Sequence, residues 1–231
     1  MTKFQRTASR SALTSFLAFG ILSAATAAGD LSKYRNFQLG TDLPTVAREA
    51  GVNPSQAKVI HSRPALIQEL EWRPQPLGSS SQTEPAKEVV FSFYDGELFR
   101  IVVNYDRYQT EGLRTDDFVE AISTTYGIAA KPTASDKVAP RSYGDQDEIL
   151  AQWQDSLYRF ELIRSPYGPS FKLVGVLKGL EAPAQGATLE AKRLDDQEAP
   201  QRDAARIASE EEAARARSEK ARLVNKPKFR P

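Results

Sequence analysis

The chain carries one imidazole, His61, no cysteine and 30 acidic side chains, and these residues limit the chemistry that it can perform. A Ser-His-carboxylate site would have to use His61, with an acid such as Asp106, Glu111 or Asp145 as its partner. The sequence contains no G-x-S-x-G turn, and it lacks the second histidine or cysteine that a usual zinc site requires. We therefore interpret His61 as a loop or strand-edge residue. A hydrolase or lyase that pairs His61 with a carboxylate is an alternative function.

Clustered carboxylates occur at two places in the sequence. The run Asp145-Gln146-Asp147-Glu148 offers oxygen ligands for Ca²⁺, but the spacing and the final Glu of a calcium-binding loop are missing. Asp116 and Asp117 stand at the predicted start of a helix, where the helix dipole favours negative charge. We therefore predict no metal and no cofactor. A calcium- or glycan-binding module is a second alternative function.

Aromatic and cationic side chains around a predicted hairpin are the best candidates for a binding surface. The run Tyr105-Asp106-Arg107-Tyr108 mixes rings with charge, which is typical of surfaces that bind sugars, peptides or proteins. The candidate binding residues are Tyr94, Phe99, Arg100, Tyr105, Arg107 and Tyr108. The 31 basic and 30 acidic residues nearly cancel. We expect no nucleic-acid partner, because that affinity comes from clustered cations.

Two helices and six strands are predicted to position these side chains, which makes the fold class α+β. Asp42 is a predicted N-cap and Gly51 a predicted terminator of the first helix, whose apolar positions are Leu43, Val46, Ala47 and Ala50. A second helix begins after Gly112 and ends at Gly127. Its apolar stripe is Phe118, Val119, Ile122 and Tyr126.

Apolar runs separated by turn signals predict antiparallel strands over residues 66–72, 89–94, 97–105, 149–154, 157–163 and 171–177. Asp95-Gly96 favours a type I′ hairpin turn, because both central positions of that turn need positive φ. The turn pairs Phe93 with Leu98 on one face. The same register pairs Phe91 with Arg100 and Val89 with Val102 on that face. It pairs Val90 with Ile101 on the opposite face.

The order of a helix followed by antiparallel strands occurs twice. It predicts two units, of about residues 34–108 and 109–180, that form one sheet packed on helices within a domain of residues 29–181. The run Leu98-Phe99-Arg100-Ile101 in the first unit matches Leu157-Tyr158-Arg159-Phe160 in the second. We interpret this as an internal duplication.

The first unit resembles a known family. Its opening run, Phe37-Gln38-Leu39-Gly40-Thr41-Asp42-Leu43-Pro44-Thr45-Val46, followed by Ala50-Gly51-Val52-Asn53-Pro54, is similar to the small outer-membrane assembly lipoproteins of the BamE/SmpA type. Trp72 and the hairpin of residues 89–98 resemble the next signature of that family, and a tandem of such units is similar to β-lactamase inhibitory protein. The resemblance implies an antiparallel sheet packed on helices and a binding role. The lipid-bearing cysteine of the family is absent.

Residues 1–28 are typical of a cleavable export signal. Lys3, Arg6 and Arg10 precede an apolar stretch over residues 13–22, which is too short to span a bilayer comfortably. A run of small residues follows, so we predict cleavage after Ala27 or Ala28. The mature protein is therefore predicted to be exported, either periplasmic or secreted, with no transmembrane segment.

Residues 182–231 form a low-complexity tail rich in Ala, Glu, Arg and Lys. Opposite charges three or four residues apart predict an exposed, partly formed charged helix, with Pro200 separating two segments. A disordered tail is the alternative. The hypothesis for the whole chain is a non-catalytic envelope protein that binds a protein or another envelope component, with this tail attached.

Overall fold

A computed structural model describes residues 29–74, 85–132, 148–165, 170–228 and 230. The predicted export signal and Asp145 lie outside these ranges. The described helices are α1 (Leu43–Ala50), α2 (Thr115–Tyr126) and α3 (Lys178–Asn225), with 3₁₀ turns at Pro54–Gln56 and Lys226–Lys228. The described strands are β1 (Lys33–Tyr34), β2 (Phe37–Gln38), β3 (Lys58–His61), β4 (Ile67–Trp72), β5 (Ala86–Tyr94), β6 (Glu97–Tyr105), β7 (Glu148–Gln154), β8 (Tyr158–Arg164) and β9 (Phe171–Leu177).

Seven of these strands form one antiparallel sheet in the order β3-β4-β5-β6-β9-β8-β7, and β1 pairs with β2 in a separate small hairpin. The predicted α+β class and the six predicted strands are confirmed. β3 was not predicted as a strand, and it places His61 on the edge of the sheet.

Helix α1 forms where its cap residues place it. The Asp42 carboxylate accepts a hydrogen bond from the backbone N–H of Thr45 at 2.8 Å, and Gly51 ends the helix with a φ of +68°. Its apolar side chains Leu43, Val46 and Ala47 are buried in the main core, which fills one face of the sheet. The predicted N-cap, terminator and buried positions of α1 are confirmed.

Helix α2 also packs on the main core. The Asp117 carboxylate accepts a hydrogen bond from the backbone N–H of Arg114 at 2.7 Å, which satisfies a donor at the start of the helix. At its other end, the Tyr126 ring stacks on Phe160 with 4.4 Å between the ring centroids. Phe160 in turn lies against Gly175 of β9, where a Cβ atom would come within 2.5 Å of the Phe160 ring.

Gly29, the first described residue, also packs against α2. A Cβ atom at Gly29 would lie 2.3 Å from the carbonyl oxygen of Thr125 and 2.4 Å from the Cα of Tyr126. Only a residue without a side chain fits this close approach of two backbones.

The β5–β6 hairpin has the predicted turn, with positive φ at Asp95 and Gly96. Its register agrees with the prediction only next to the turn, where Phe93 pairs with Leu98. The three pairs predicted beyond that point are wrong, because a β-bulge adds one residue to β6 at Phe99. Phe91 therefore pairs with Ile101 and Val90 with Val102.

Helix α3 covers part of the opposite face of the sheet. It begins at Lys178, directly after β9 and before the predicted start of the tail at residue 182. Ala184, Ala187 and Ala191 are buried, whereas residues 200–228 are exposed. The helix continues through both Pro183 and Pro200, so the predicted interruption at Pro200 is wrong. A proline removes one backbone hydrogen bond, and the turns on either side of Pro200 keep theirs.

Candidate functional site

The structure divides the six predicted binding residues among three places. Tyr94 and Phe99 lie at the turn end of the β5–β6 hairpin, on the face covered by α3. Phe99 is 8% exposed and packs with Ile67 and Ala184, while Tyr94 packs against the same cluster and is partly buried. These two rings hold the helix against the sheet.

Arg100 lies near a polar network on that same face. Arg100 of β6 pairs with Val176 of β9, and Val176 pairs on its other side with Arg159 of β8. Arg159 Nη2 donates to Glu181 Oε1 of α3 at 2.6 Å. Arg159 Nε lies 3.1 Å from Glu161 Oε1 but is not aligned to donate a hydrogen bond. The network therefore joins the first turn of α3 to β8.

Tyr105, Arg107 and Tyr108 lie at the other end of the hairpin. The Tyr105 ring packs against Phe118 in the main core, with 5.6 Å between the centroids. The Arg107 guanidinium lies 5.0 Å from the ring centroid of Tyr108, which is 73% exposed. These three side chains are far from Tyr94 and Phe99, because β5 and β6 are each nine residues long and separate the two ends of the hairpin. No single surface contains all six residues.

The structure also separates His61 from Asp106. His61 pairs with Ile67, which lies beside the last residue of β5. Asp106 follows β6, whose last residue pairs with the first residue of β5. The two residues are therefore at opposite ends of a nine-residue strand, roughly 25 Å apart. They cannot share one catalytic site, and Glu111 lies in the loop that follows Asp106.

The acidic residues that suggested calcium binding lie mostly outside the described ranges. Within them, Glu148 forms an ion pair with Arg164 on the neighbouring strand. Asp117 caps α2, and Asp116 lies in the same first turn. No group of three or more His, Asp or Glu side chains that could hold a metal ion occurs in the described part of the chain.

A groove of about 760 Å³ lies between the C-terminal end of α1 and the outer strands β3 and β4. β3 begins at Lys58, opposite Glu69, so Glu71 and Trp72 at the end of β4 extend beyond the edge strand. The partly buried side chains of the groove are Ala50, Val52 and Trp72, which all pack against the main core. Its exposed charged residues are Arg48, Glu49, Lys58, Glu71 and Arg73.

Trp72 is held rigidly within this groove. Its ring contacts Phe37 edge to face, with 5.0 Å between centroids, and stacks near Phe91 at 6.4 Å. The Arg35 guanidinium lies 6.0 Å from the Trp72 centroid. Because its neighbours fix the ring, Trp72 can offer apolar surface to a ligand with little loss of conformational entropy.

Ion pairs order part of the charged border of the groove. Lys58 Nζ lies 2.7 Å from Glu71 Oε1, and this contact lowers the pKa of Glu71 and raises the pKa of Lys58. Arg73 pairs with Glu88 of β5 at 3.1 Å, and Arg48 donates to the Thr45 hydroxyl at 3.4 Å. The groove thus combines apolar surface with fixed charges of both signs.

The groove was not predicted from the sequence, because three separate segments form it: the end of α1, the start of β3 and the end of β4. From the sequence, Trp72 was identified as a strand residue and as part of the family resemblance, and not as part of a binding surface. Its position next to the polar run that follows β4 was the one available signal that the strand ends at an open surface.

Within the described ranges, no helix has both the length and the apolar character needed to cross a bilayer. Comparison of the chain with models of protein families, with curated proteins and with solved structures gave no match.

Proposed function

We propose that the protein is an exported, non-catalytic envelope protein that binds an extended peptide segment of a partner protein in the groove beside Trp72. The observation that supports this most directly is the groove itself. Its volume of about 760 Å³ lies within the range of roughly 300–1,000 Å³ that is usual for ligand sites.

The chemistry of the groove favours a peptide over a small apolar ligand. Trp72 can contact an apolar side chain, while Arg48 and Glu49 can contact charges of opposite sign on either side of it. The end of β4 also extends beyond β3, and an open strand edge presents backbone groups to which an extended chain can bind.

The test is retention of peptides from a digest of envelope proteins on the immobilised chain beginning at Gly29. Trp72→Ala should lower retention at least tenfold, because a rigid aromatic side chain typically dominates such a contact. Tyr108→Ala is the matched control, since it removes an exposed aromatic ring that does not line the groove. Equal retention by the Trp72→Ala chain and the unchanged chain would contradict the proposal.

We further propose that the sheet domain is a duplicated helix-then-strands unit related to the BamE/SmpA type. The sheet order supports this. The first unit contributes β4-β5-β6 and the second contributes β9-β8-β7, and the two units join where β6 pairs with β9. In each unit the middle strand lies between the other two strands of that unit. That order makes β8 equivalent to β5, so the matching runs that contain Arg100 and Arg159 lie on strands that are not equivalent.

Export rests on the sequence of residues 1–28. Expression of the full chain in a bacterial host, followed by mass measurement of the protein released from the periplasm, tests this directly. A mature chain that begins at Ala28 or Gly29 is expected. An unprocessed chain found only in the cytoplasm would contradict export and would leave the proposed groove untouched.

A further inference from the structure

The exposed end of α3 has a charge distribution that the proposed groove does not explain. Residues 200–228, here called the arm, are exposed, and the helical part from residue 201 to Asn225 is about 37 Å long at 1.5 Å per residue. A helix of this composition with no buried face keeps its length only through backbone bonds and charged pairs. Its outer surface is therefore free for a contact outside the protein.

Opposite charges are segregated along the arm. Residues 203–212 contain four acids and one base, whereas residues 215–228 contain six bases and one acid, Glu219. The basic part is the end farthest from the sheet domain. A negatively charged surface would attract this end and repel the acidic part, so the arm would approach such a surface by its tip.

The ion pairs of the arm leave one side of its tip cationic. Arg215 pairs with Glu211, and Arg222 with Glu219, on one side of the helix. At 100° per residue, Arg217 and Lys220 lie on the opposite side around Val224, and Lys228 lies in the 3₁₀ turn that follows the helix. Among the residues that the structure describes, none of these three cations has an ion-pair partner.

Apolar side chains accompany this cationic side. Leu223 and Val224 are 67% and 51% exposed, respectively, near the end of the helix. Basic residues next to exposed apolar ones are the combination by which helices contact the headgroup region of a membrane.

We propose that the tip of the arm, residues 215–228, binds the anionic phospholipid headgroups of a membrane surface. The contact is electrostatic, with the phosphates facing Arg217, Lys220 and Lys228, and the side chain of Val224 enters the interface between them. This contact is independent of the groove, so Trp72→Ala should leave it unchanged.

The experiment is co-sedimentation of the chain beginning at Gly29, which contains every described residue, with lipid vesicles. Vesicles of phosphatidylcholine and phosphatidylglycerol in equal amounts should bind the protein, and vesicles of phosphatidylcholine alone should not. Replacing Arg217, Lys220 and Lys228 by Gln should weaken binding roughly 100-fold, at about fivefold per cation. Raising the salt concentration should release the unchanged chain.

The control variant replaces Arg193, Arg202 and Arg206 by Gln. It removes the same number of cations from the same helix, but each of these residues is paired with an acid. Its vesicle binding should stay within about threefold of the unchanged chain, and circular dichroism should show equal helix content in both variants. Equal losses in the two variants would overturn the proposal.

Two further measurements distinguish the source of the phosphate. Inorganic phosphate should not compete with the vesicles, because a single phosphate cannot span the three cations. Full competition by inorganic phosphate would overturn a membrane contact. Binding to duplex DNA at physiological salt as tight as binding to the anionic vesicles would also overturn it, because it would show that the tip selects no lipid surface.

Discussion

The guanidinium of Arg63, in the loop between β3 and β4, forms a two-point ion pair with the carboxylate of Glu198 on α3, 135 residues later in the sequence. Arg63 Nη1 donates to Glu198 Oε1 at 2.7 Å, and Nη2 donates to Oε2. The arm begins two residues further on, so this pair lies where the helix leaves the sheet domain. It connects the loop between β3 and β4 to the part of α3 next to the arm.

The Arg63–Glu198 pair predicts acid sensitivity of the docked helix. The hydrogen bonds from Arg63 hold the pKa of Glu198 below its usual value of 4.5. A carboxylate whose pKa is lowered in the folded state contributes stability that is present above pH 4.5. This stability is lost as the pH falls through the pKa of the folded state. The protection of residues 192–199 against hydrogen exchange, corrected for the slower intrinsic exchange in acid, should therefore fall below pH 4.5, with little change in the sheet.

Glu198→Gln should show that lower protection already at neutral pH, and the protection in this variant should depend little on pH. Glu190→Gln is the control, since Glu190 pairs with Arg193 on the same helix and bridges to no other element. An acid effect of equal size in the Glu198→Gln chain would show that another group is responsible.

Gly175→Ala is expected to destabilise the fold. The new Cβ would lie 2.5 Å from the Phe160 ring, and Phe160 cannot move away because Tyr126 stacks on its other side. Overpacking of this kind costs about 1–3 kcal/mol. Urea denaturation should show that loss, whereas Gly179→Ala, which meets no atom within 4 Å, should leave the free energy of unfolding unchanged or slightly higher.

Tyr126→Phe tests the link between α2 and the β1–β2 hairpin. The Tyr126 hydroxyl donates to the carbonyl oxygen of Lys33 at 3.1 Å, and burial raises the pKa of this phenol above its usual value of 10. Loss of the hydrogen bond should cost about 0.5–1.5 kcal/mol. Tyr108→Phe, at an exposed ring, should cost nothing measurable.

The raised pKa of Tyr126 also predicts an alkaline limit. The stability that the protonated phenol contributes is fully present below pH 10. It is lost as the pH rises through the higher pKa of the folded state. Absorbance titration should find one tyrosine that ionises only when the protein unfolds. Ionisation of all the tyrosines near pH 10 in the folded state would contradict the buried position of Tyr126.

Phe99→Ala should lower the stability of the fold and loosen the packing of α3 on the sheet. It should have little direct effect on peptide binding in the groove beside Trp72. Phe99 packs with Ile67 and Ala184 between sheet and helix, so its removal leaves a cavity and should cost about 3–5 kcal/mol. Leu189→Ala, on the exposed side of α3, should cost far less. Thermal unfolding measures both. A loss of peptide retention without loss of stability would instead assign Phe99 to a ligand contact.

Local signals predicted the elements of this fold well. Asp42 and Gly51 mark the limits of α1 because their requirements, a side-chain acceptor and a positive φ, are met within a few residues. Asp95-Gly96 marks the hairpin for the same reason. The register beyond that turn was not predictable, because the bulge at Phe99 depends on packing against α3, which lies far away in the sequence.

The candidate site was harder to predict for a related reason. The aromatic residues near the hairpin are close in sequence, but a β-bulge and the length of the strands divide them between two faces and two ends of the sheet. The groove beside Trp72 combines residues from α1, β3 and β4. Its parts have no common sequence pattern, since only the fold brings them together.

The close packing of Gly29 against α2 gives the position of signal cleavage an electrostatic consequence. Cleavage between Ala28 and Gly29 would leave a free α-ammonium group beside Gly127, at the negative end of the α2 dipole. A cation at the C-terminal end of a helix contributes about 0.3–1 kcal/mol, and the uncleaved precursor has a neutral amide at this position. Removal of the signal at this bond would thus supply α2 with a C-terminal counter-charge that exists only in the mature protein.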